Sequence, residues 1–111
     1  MKKLNVIYNH NIYEPPYKQS EVKKVESEIK NKFGQDVQIF ITHSCLSAPN
    51  PFFYDCDLII LEHTFDMTKD DKKALADILK CGVTKVKTAN PIDVVISFRK
   101  ISDDDIWYFE G

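Results

Sequence analysis

HSCLSAPNPFFYDC, residues 43–56, is the stretch that decides how the sheet of this protein is connected. It links two apolar runs that read as β-strands, Val37–Thr42 and Leu58–Glu62. Pro49 and Pro51 disfavour a helix between them, because proline lacks a backbone donor and clashes with the preceding helical turn. Parallel strands need a crossover connection, which is usually a helix. The stretch therefore favours a hairpin and a mixed sheet over an open parallel sheet.

A β-α-β pattern stands on each side of this stretch. The first has a strand at Leu4–Asn9 and a helix that starts at Ser20 and stops at Gly34. The second follows its strand with a helix capped by Thr68 and ended by Gly82. Three further apolar runs are interpreted as strands: Val83–Thr88, Val94–Ile101 and Ile106–Phe109.

The element order predicts the fold class. We expect an α/β (α+β) protein that forms one small domain over residues 1–111. The sheet is expected to be mixed, with four to six strands and two helices. A ferredoxin-like split β-α-β arrangement is favoured over an open parallel sheet.

The charge balance limits the classes of partner. Fifteen Lys+Arg stand against seventeen Asp+Glu, for a formal net charge of −2, and Arg99 is the only arginine. A protein that reads nucleic acid usually carries a basic surface rich in arginine. No apolar segment approaches the length of a membrane span. The sequence therefore predicts neither a nucleic-acid partner nor a membrane.

The cysteines and glycines argue against a bound cofactor. Cys45, Cys56 and Cys81 are odd in number and widely spaced, which is not the pattern of a disulfide framework or a zinc site. Neither internal glycine belongs to a phosphate-binding loop, since both stand where helices are predicted to end. We expect a cytoplasmic protein with no cofactor and no metal site.

The histidines are the one set of residues that suggests a reaction. His10, His43 and His63 each stand at or just after the end of a predicted strand, and Glu62 precedes the last of them. In a parallel sheet these strand ends would share one edge, where imidazole and carboxylate groups could perform acid–base chemistry. That arrangement would suit a small hydrolase or an enzyme of phosphoryl chemistry.

The mixed sheet predicts a different outcome for the same residues. If the strand at Leu58–Glu62 runs the other way, His63 lies roughly 17 Å from His10 and His43, at about 3.3 Å per strand residue. Glu62 and His63 are also neighbours on a strand, so their side chains point to opposite faces.

Two stretches combine aromatic with acidic residues and suggest a protein partner. Tyr13 and Tyr17 lie in the loop after the first strand, and the second stretch lies near the end of the chain. Its members are Asp103, Asp104, Asp105, Trp107 and Tyr108. Aromatic anchors with surrounding acids are typical of interfaces with a basic protein surface. Alternatively, the last aromatic residues close the core as a strand.

The absence of a catalytic motif leads to a binding hypothesis. We expect an inhibitor or an immunity-type protein that acts on another protein through its acidic and aromatic surface. The alternative is the small enzyme built on His10, His43, Glu62 and His63. The sequence leaves the oligomeric state open.

Overall fold

The computed structural model describes residues 2–10, 19–45, 56–87 and 93–109. It places four strands, two α-helices and one short 3-10 helix within these ranges. In chain order they are β1 (Lys3–His10), α1 (Gln19–Phe33), β2 (Gln38–Cys45), β3 (Cys56–His63), α2 (Lys69–Lys87), β4 (Asp93–Lys100) and the 3-10 helix (Asp103–Asp105). In the described part of the chain, neither helix has the length and apolar character needed to cross a bilayer.

The sheet has the strand order β2-β1-β3-β4. β1 pairs with β2 in parallel and β3 pairs with β4 in parallel, whereas β1 and β3 are antiparallel. Two β-α-β units therefore lie side by side and run in opposite directions. The predicted class, a small α+β fold with a mixed sheet and two helices, is confirmed.

The strand order differs from the split arrangement that the sequence favoured. In a split β-α-β unit another strand separates the two strands of the unit. Here β1 contacts β2 directly, and β3 contacts β4 directly, so neither unit is split. The segment that follows β2 thus leads to a strand on the far side of β1, and not to a hairpin partner of β2.

The core lies between one face of the sheet and the two helices. Along β1, Leu4, Val6 and Tyr8 point to this face and are buried, and Ile59 and Leu61 of β3 do the same. The helices contribute Val25, Ile29, Leu75 and Leu79 to the same core. We call the opposite side of the sheet the open face, because neither helix packs on it.

Gly34 ends α1, as the helical pattern predicts. Its φ of 121° lies in the region that favours glycine, and its N–H donates to the carbonyl of Lys30 at 2.9 Å. A Cβ at this position would lie only 2.6 Å from Oδ1 of Asp36. The positive φ is therefore the reason that the turn into β2 favours glycine, since the exposed carboxylate of Asp36 can move away from an added Cβ.

The second helix corrects two predictions near its end. α2 continues through Gly82 to Lys87, so residues 83–87 are helical and not a strand. The sequence spacing is compatible with a continued helix, since Val83 and Val86 follow Leu79 by four and then three residues. An interior glycine costs a helix only about 1 kcal/mol, which by itself is too little to end it. Thr88 lies outside the described residues.

The start of α2 and the end of the chain show how local polar contacts set element boundaries. Thr68 and Asp71 form a capping box, with Asp71 N–H donating to Thr68 Oγ1 at 3.1 Å and Thr68 N–H donating to Asp71 Oδ2 at 3.0 Å. The Thr68 N–H lowers the pKa of the Asp71 carboxyl. Ser102 and Asp105 form a second capping box on the 3-10 helix. Residues 106–109 form no strand, which corrects the predicted strand Ile106–Phe109.

Tyr8 gives the fold a measurable dependence on alkaline pH. Burial raises the pKa of its phenol well above the ordinary value. Above pH 10 or so the unfolded chain can release this proton while the folded chain keeps it, so stability falls as pH rises, by up to about 1.4 kcal/mol per pH unit. Urea unfolding at pH 8 and pH 11 should show a smaller alkaline loss for Tyr8→Phe than for wild type. The control is Tyr108→Phe, which removes an exposed phenol; equal losses in wild type and Tyr8→Phe would contradict the argument.

Candidate active site

The antiparallel pairing of β1 with β3 separates the predicted histidine positions. Leu4, near the start of β1, pairs with His63 at the end of β3. His10 lies six residues further along β1, about 20 Å away at the rise of a strand. His43 pairs with Tyr8, near the same far end of the sheet. The side chains of His10 and His43 lie outside the described residues, but the strand register does not bring them to His63.

Glu62 and His63 are on opposite sides of the sheet. His63 faces the helices and is only 2% exposed. Its Nδ1 lies 2.7 Å from the carbonyl oxygen of Phe65, which assigns the proton to Nδ1 as the donor. Nε2 is buried and has no hydrogen-bond partner among the residues that the structure describes. The ring packs edge-on against Phe65 and Phe98, so its surroundings are those of a core residue.

A row of four side-chain positions crosses the open face of the sheet. The register aligns Phe40 of β2, Asn5 of β1, Glu62 of β3 and Arg99 of β4. Nδ2 of Asn5 donates to Oε1 of Glu62 at 3.0 Å. Nη1 of Arg99 lies 4.0 Å from the other carboxylate oxygen, Oε2. We call Asn5, Glu62 and Arg99 the carboxylate row.

The carboxylate row combines a fixed acid–base group with accessible positive charge. The Glu62 side chain is 24% exposed, so it is partly shielded but reachable, whereas Arg99 is 71% exposed. The next row on the same face holds Ile7 and Ile60, which pair with each other across β1 and β3. A carboxylate beside apolar side chains and an arginine can exchange a proton with a small anion bound between them.

Lys3 ties the end of the chain to this face. Its amino group donates to the carbonyl oxygens of Asp103 at 3.1 Å and Ile106 at 2.7 Å. It also lies 3.2 Å from Oδ1 of Asp103, and its side chain is only 14% exposed. Residues 101–109, which we call the tail, are thereby held next to the carboxylate row.

The tail presents its aromatic residues to solvent. Trp107 is 70% exposed and Phe109 is 82% exposed, and their rings stack at 6.3 Å. Tyr108 is also exposed, at 59%, and its ring contacts that of Phe40, with ring centroids 5.7 Å apart. Asp103, Asp104 and Asp105 are also exposed. The predicted partner-binding residues of the tail are therefore all on the surface. Tyr13 and Tyr17 lie outside the described residues.

Sequence reasoning found Glu62 but missed the residues that surround it. Asn5 and Lys3 alternate with buried Leu4 and Val6, and this alternation is a usable signal for a polar position on the second face of a strand. Arg99 is the only arginine of the chain, which marks it as unusual without placing it. Their meeting depends on strand pairing between distant segments. Among the described residues, no group of three or more His, Cys, Asp and Glu side chains is arranged to hold a metal ion.

Comparisons with known proteins give a fold and no close relative. No family model matches the chain, and no curated protein matches it. A fused 4-OT solved as an asymmetric trimer is 13% identical, with a TM-score of 0.64 over 94% of this chain and 91% of the other. A 5-carboxymethyl-2-hydroxymuconate isomerase from Deinococcus radiodurans R1 is 14% identical, with a TM-score of 0.53 over 99% and 90%. A malonate semialdehyde decarboxylase is 13% identical, with a TM-score of 0.53 over 96% and 91%.

These likenesses show that the chain shares its fold with a fused 4-OT, an isomerase and a decarboxylase. They correct the hypothesis of an inhibitor or immunity-type protein, because the matching structures are enzymes. They also correct the predicted partner, a different protein with a basic surface, because the fused 4-OT structure is a trimer of its own kind of chain.

The geometry of the carboxylate row predicts unequal coupling between its members. The Asn5–Glu62 hydrogen bond is 3.0 Å long, is partly buried and ends on a carboxylate, and bonds to charged groups contribute about 1.5–3 kcal/mol. The Glu62–Arg99 pair is long and exposed at arginine, where pairs contribute about 0–1 kcal/mol. Double-mutant cycles that combine Glu62→Ala with Asn5→Ala or with Arg99→Ala, read by urea unfolding, should give the larger coupling energy for the Asn5–Glu62 pair, since alanine removes both acceptor oxygens. A larger coupling energy for the Glu62–Arg99 pair than for the Asn5–Glu62 pair would contradict this prediction.

Proposed function

We propose that this protein is an enzyme that transfers a proton within a small organic acid, with Glu62 as the acid–base group. The observation that carries the proposal is the carboxylate row. Its carboxylate is oriented by Asn5, lies beside Arg99 and occupies a sheet face that neither helix covers. Support also comes from the likeness to an isomerase and to 4-OT.

The proposed reaction is a shift of one proton between two carbon positions or between carbon and oxygen. Ionised Glu62 takes a proton from a carbon next to a carbonyl group, and an enolate forms. The protonated Glu62 then returns the proton to another atom of the same molecule, which restores the carboxylate. One bond to hydrogen is broken and another is formed, and the π bond of the substrate shifts position as the enolate forms and is protonated again, so no oxidant or reductant is needed.

Asn5 and Arg99 have supporting roles in this proposal. Asn5 holds one carboxylate oxygen and leaves Oε2 on the side of Arg99. Arg99 attracts the acid group of the substrate, because guanidinium matches the planar shape of a carboxylate. The ion pair between Arg99 and the substrate then holds the substrate close to Oε2 of Glu62.

The histidine-based alternative is less well supported than the Glu62 site. The register separates His63 from the strand ends that carry His10 and His43, and His63 is buried on the helix side.

We also propose that the protein associates with copies of itself and acts in the cytoplasm. Self-association is supported by the trimeric state of the fused 4-OT structure. The cytoplasm is supported by the three widely spaced cysteines, which do not form the pattern of a disulfide framework.

Turnover of 5-carboxymethyl-2-hydroxymuconate, followed by ultraviolet absorbance, tests the role of Glu62. We expect Glu62→Gln to lower kcat/KM about 100- to 10,000-fold, because the amide cannot accept the proton. Arg99→Met should raise KM more than it lowers kcat. Glu28→Gln, which removes a carboxylate from α1 on the far side of the sheet, is the matched control and should keep wild-type activity.

A second assay covers simpler substrates. Proton NMR in heavy water detects exchange at the carbon next to the carbonyl of 2-oxobutanoate, which requires the same proton removal. Wild-type protein without activity in both assays, or Glu62→Gln with undiminished activity, would rule out the proposed site.

A further inference from the structure

The carboxylate row has different neighbours on its two sides. Toward the end of β1, the next row on the open face contains Ile7 and Ile60, which pair with each other. Toward the start of β1, the next position on this face is Lys3, by the alternation of a strand. Each neighbour lies about 7 Å from the carboxylate row, at two residues of about 3.3 Å each. These two sides decide what a ligand bound at Glu62 and Arg99 can place beyond its first acid group.

On the first side, the tail engages all three N–H donors of Lys3. An ammonium group has three such donors. The carbonyl oxygens of Asp103 and Ile106 lie 3.1 and 2.7 Å from Nζ, and Oδ1 of Asp103 lies 3.2 Å from it. The Lys3 side chain is only 14% exposed. Lys3 is therefore neutralised within the chain, and the carboxylate of Asp103 repels a second acid group that approaches this side.

Arg99 is the cation of the open face that remains accessible. Its side chain is 71% exposed, and its contact with Glu62 is long, so it can turn N–H donors toward a ligand. Lys100 follows on β4, lies on the other face by alternation and pairs with Asp66. Among the strand residues that the structure describes, the lysines and arginines are Lys3, Arg99 and Lys100 alone. One accessible cation can hold one carboxylate.

On the second side, the surroundings of the carboxylate row are apolar. Ile7 and Ile60 are half-buried on a face that neither helix covers. The row itself ends at Phe40, whose ring contacts that of Tyr108. Each methylene group that such a surface removes from water strengthens binding by about fourfold. A carboxylate placed on the same surface loses its water and gains no counter-ion.

We infer that the site takes a small organic acid with one carboxylate and an aliphatic remainder, and that it disfavours an acid with a second carboxylate. The acid group binds Arg99, the reacting carbon lies beside Oε2 of Glu62, and the aliphatic part lies on Ile7 and Ile60. This inference rests on the function proposed above and names its substrate class. The 2-oxobutanoate assay described there matches this class.

Binding of unreactive acids tests the substrate class apart from turnover. Pentanoate and pentanedioate have the same number of carbons and differ by one carboxylate. In NMR titrations of isotope-labelled protein, pentanoate should shift the amide signals of Ile7, Ile60 and Arg99 and bind at least about tenfold more tightly than pentanedioate. Arg99→Met should weaken the binding of pentanoate by about tenfold or more. Equal or tighter binding of pentanedioate would overturn the inference, and so would the absence of pentanoate binding.

Ser97 allows the preference to be reversed. It pairs with Ile60, stands on the same face and is exposed, so a substitution there leaves the core intact. Ser97→Lys adds a cation beside the apolar side of the site and should bind pentanedioate at least as tightly as pentanoate. Ser97→Gln adds a side chain of similar bulk without charge and should keep the wild-type preference. A preference for pentanoate that is unchanged in Ser97→Lys would contradict this placement of the ligand.

Hydrogen exchange in heavy water separates this inference from the proposed reaction. The matched pair is 2-oxopentanoate and 2-oxopentanedioate, which both carry exchangeable hydrogens next to the ketone. We expect faster exchange of 2-oxopentanoate. Binding of pentanoate without exchange of either oxo acid would refute the role of Glu62 and leave the ligand class standing. Faster catalysed exchange of 2-oxopentanedioate would refute the substrate class and leave the role of Glu62 standing.

Discussion

The antiparallel pairing of β1 with β3 joins the two β-α-β units into one sheet, and the rest of the structure depends on it. Each unit alone has only two parallel strands and one helix, which is too little structure to enclose a hydrophobic core. Joining them at the centre places both helices on one face, where Leu4 and Leu61 are fully buried. The same pairing aligns Asn5 with Glu62 on the other face. Core and candidate site therefore arise from one register, and a slip of one residue would exchange their faces.

The two faces explain how consecutive residues acquire different roles. Glu62 and His63 differ by one position on β3, yet one lies on the open face and the other lies among Phe65 and Phe98. An unpartnered buried nitrogen such as Nε2 of His63 is costly, and its surroundings offer no approach for an anion. The carboxylate of Glu62 instead keeps access to solvent and to the Arg99 side chain. Proton transfer with a small organic acid is therefore more accessible at the carboxylate of Glu62 than at the imidazole of His63.

Local signals in the sequence predicted local structure well, and long-range pairing was the part that they could not supply. The stop at Gly34 and the cap at Thr68 depend on contacts within four residues, so both were visible in the sequence. The fold class also followed from the order of strands and helices. The direct contact of β1 with β2, the row from Asn5 to Arg99 and the path of the tail depend on residues far apart in the chain. The extension of α2 beyond Gly82 was missed because a glycine was given more weight than the spacing of the valines around it.

The tail is joined to the proposed site through contacts within the same chain. Tyr108 packs on Phe40, and Phe40 belongs to the same register row as Asn5 and Glu62. Lys3 stands beside that row and holds the tail by two carbonyls. The tail therefore borders the carboxylate row. Where it excludes water from that row, the attraction between Arg99 and a bound anion is stronger, because the effective dielectric constant falls.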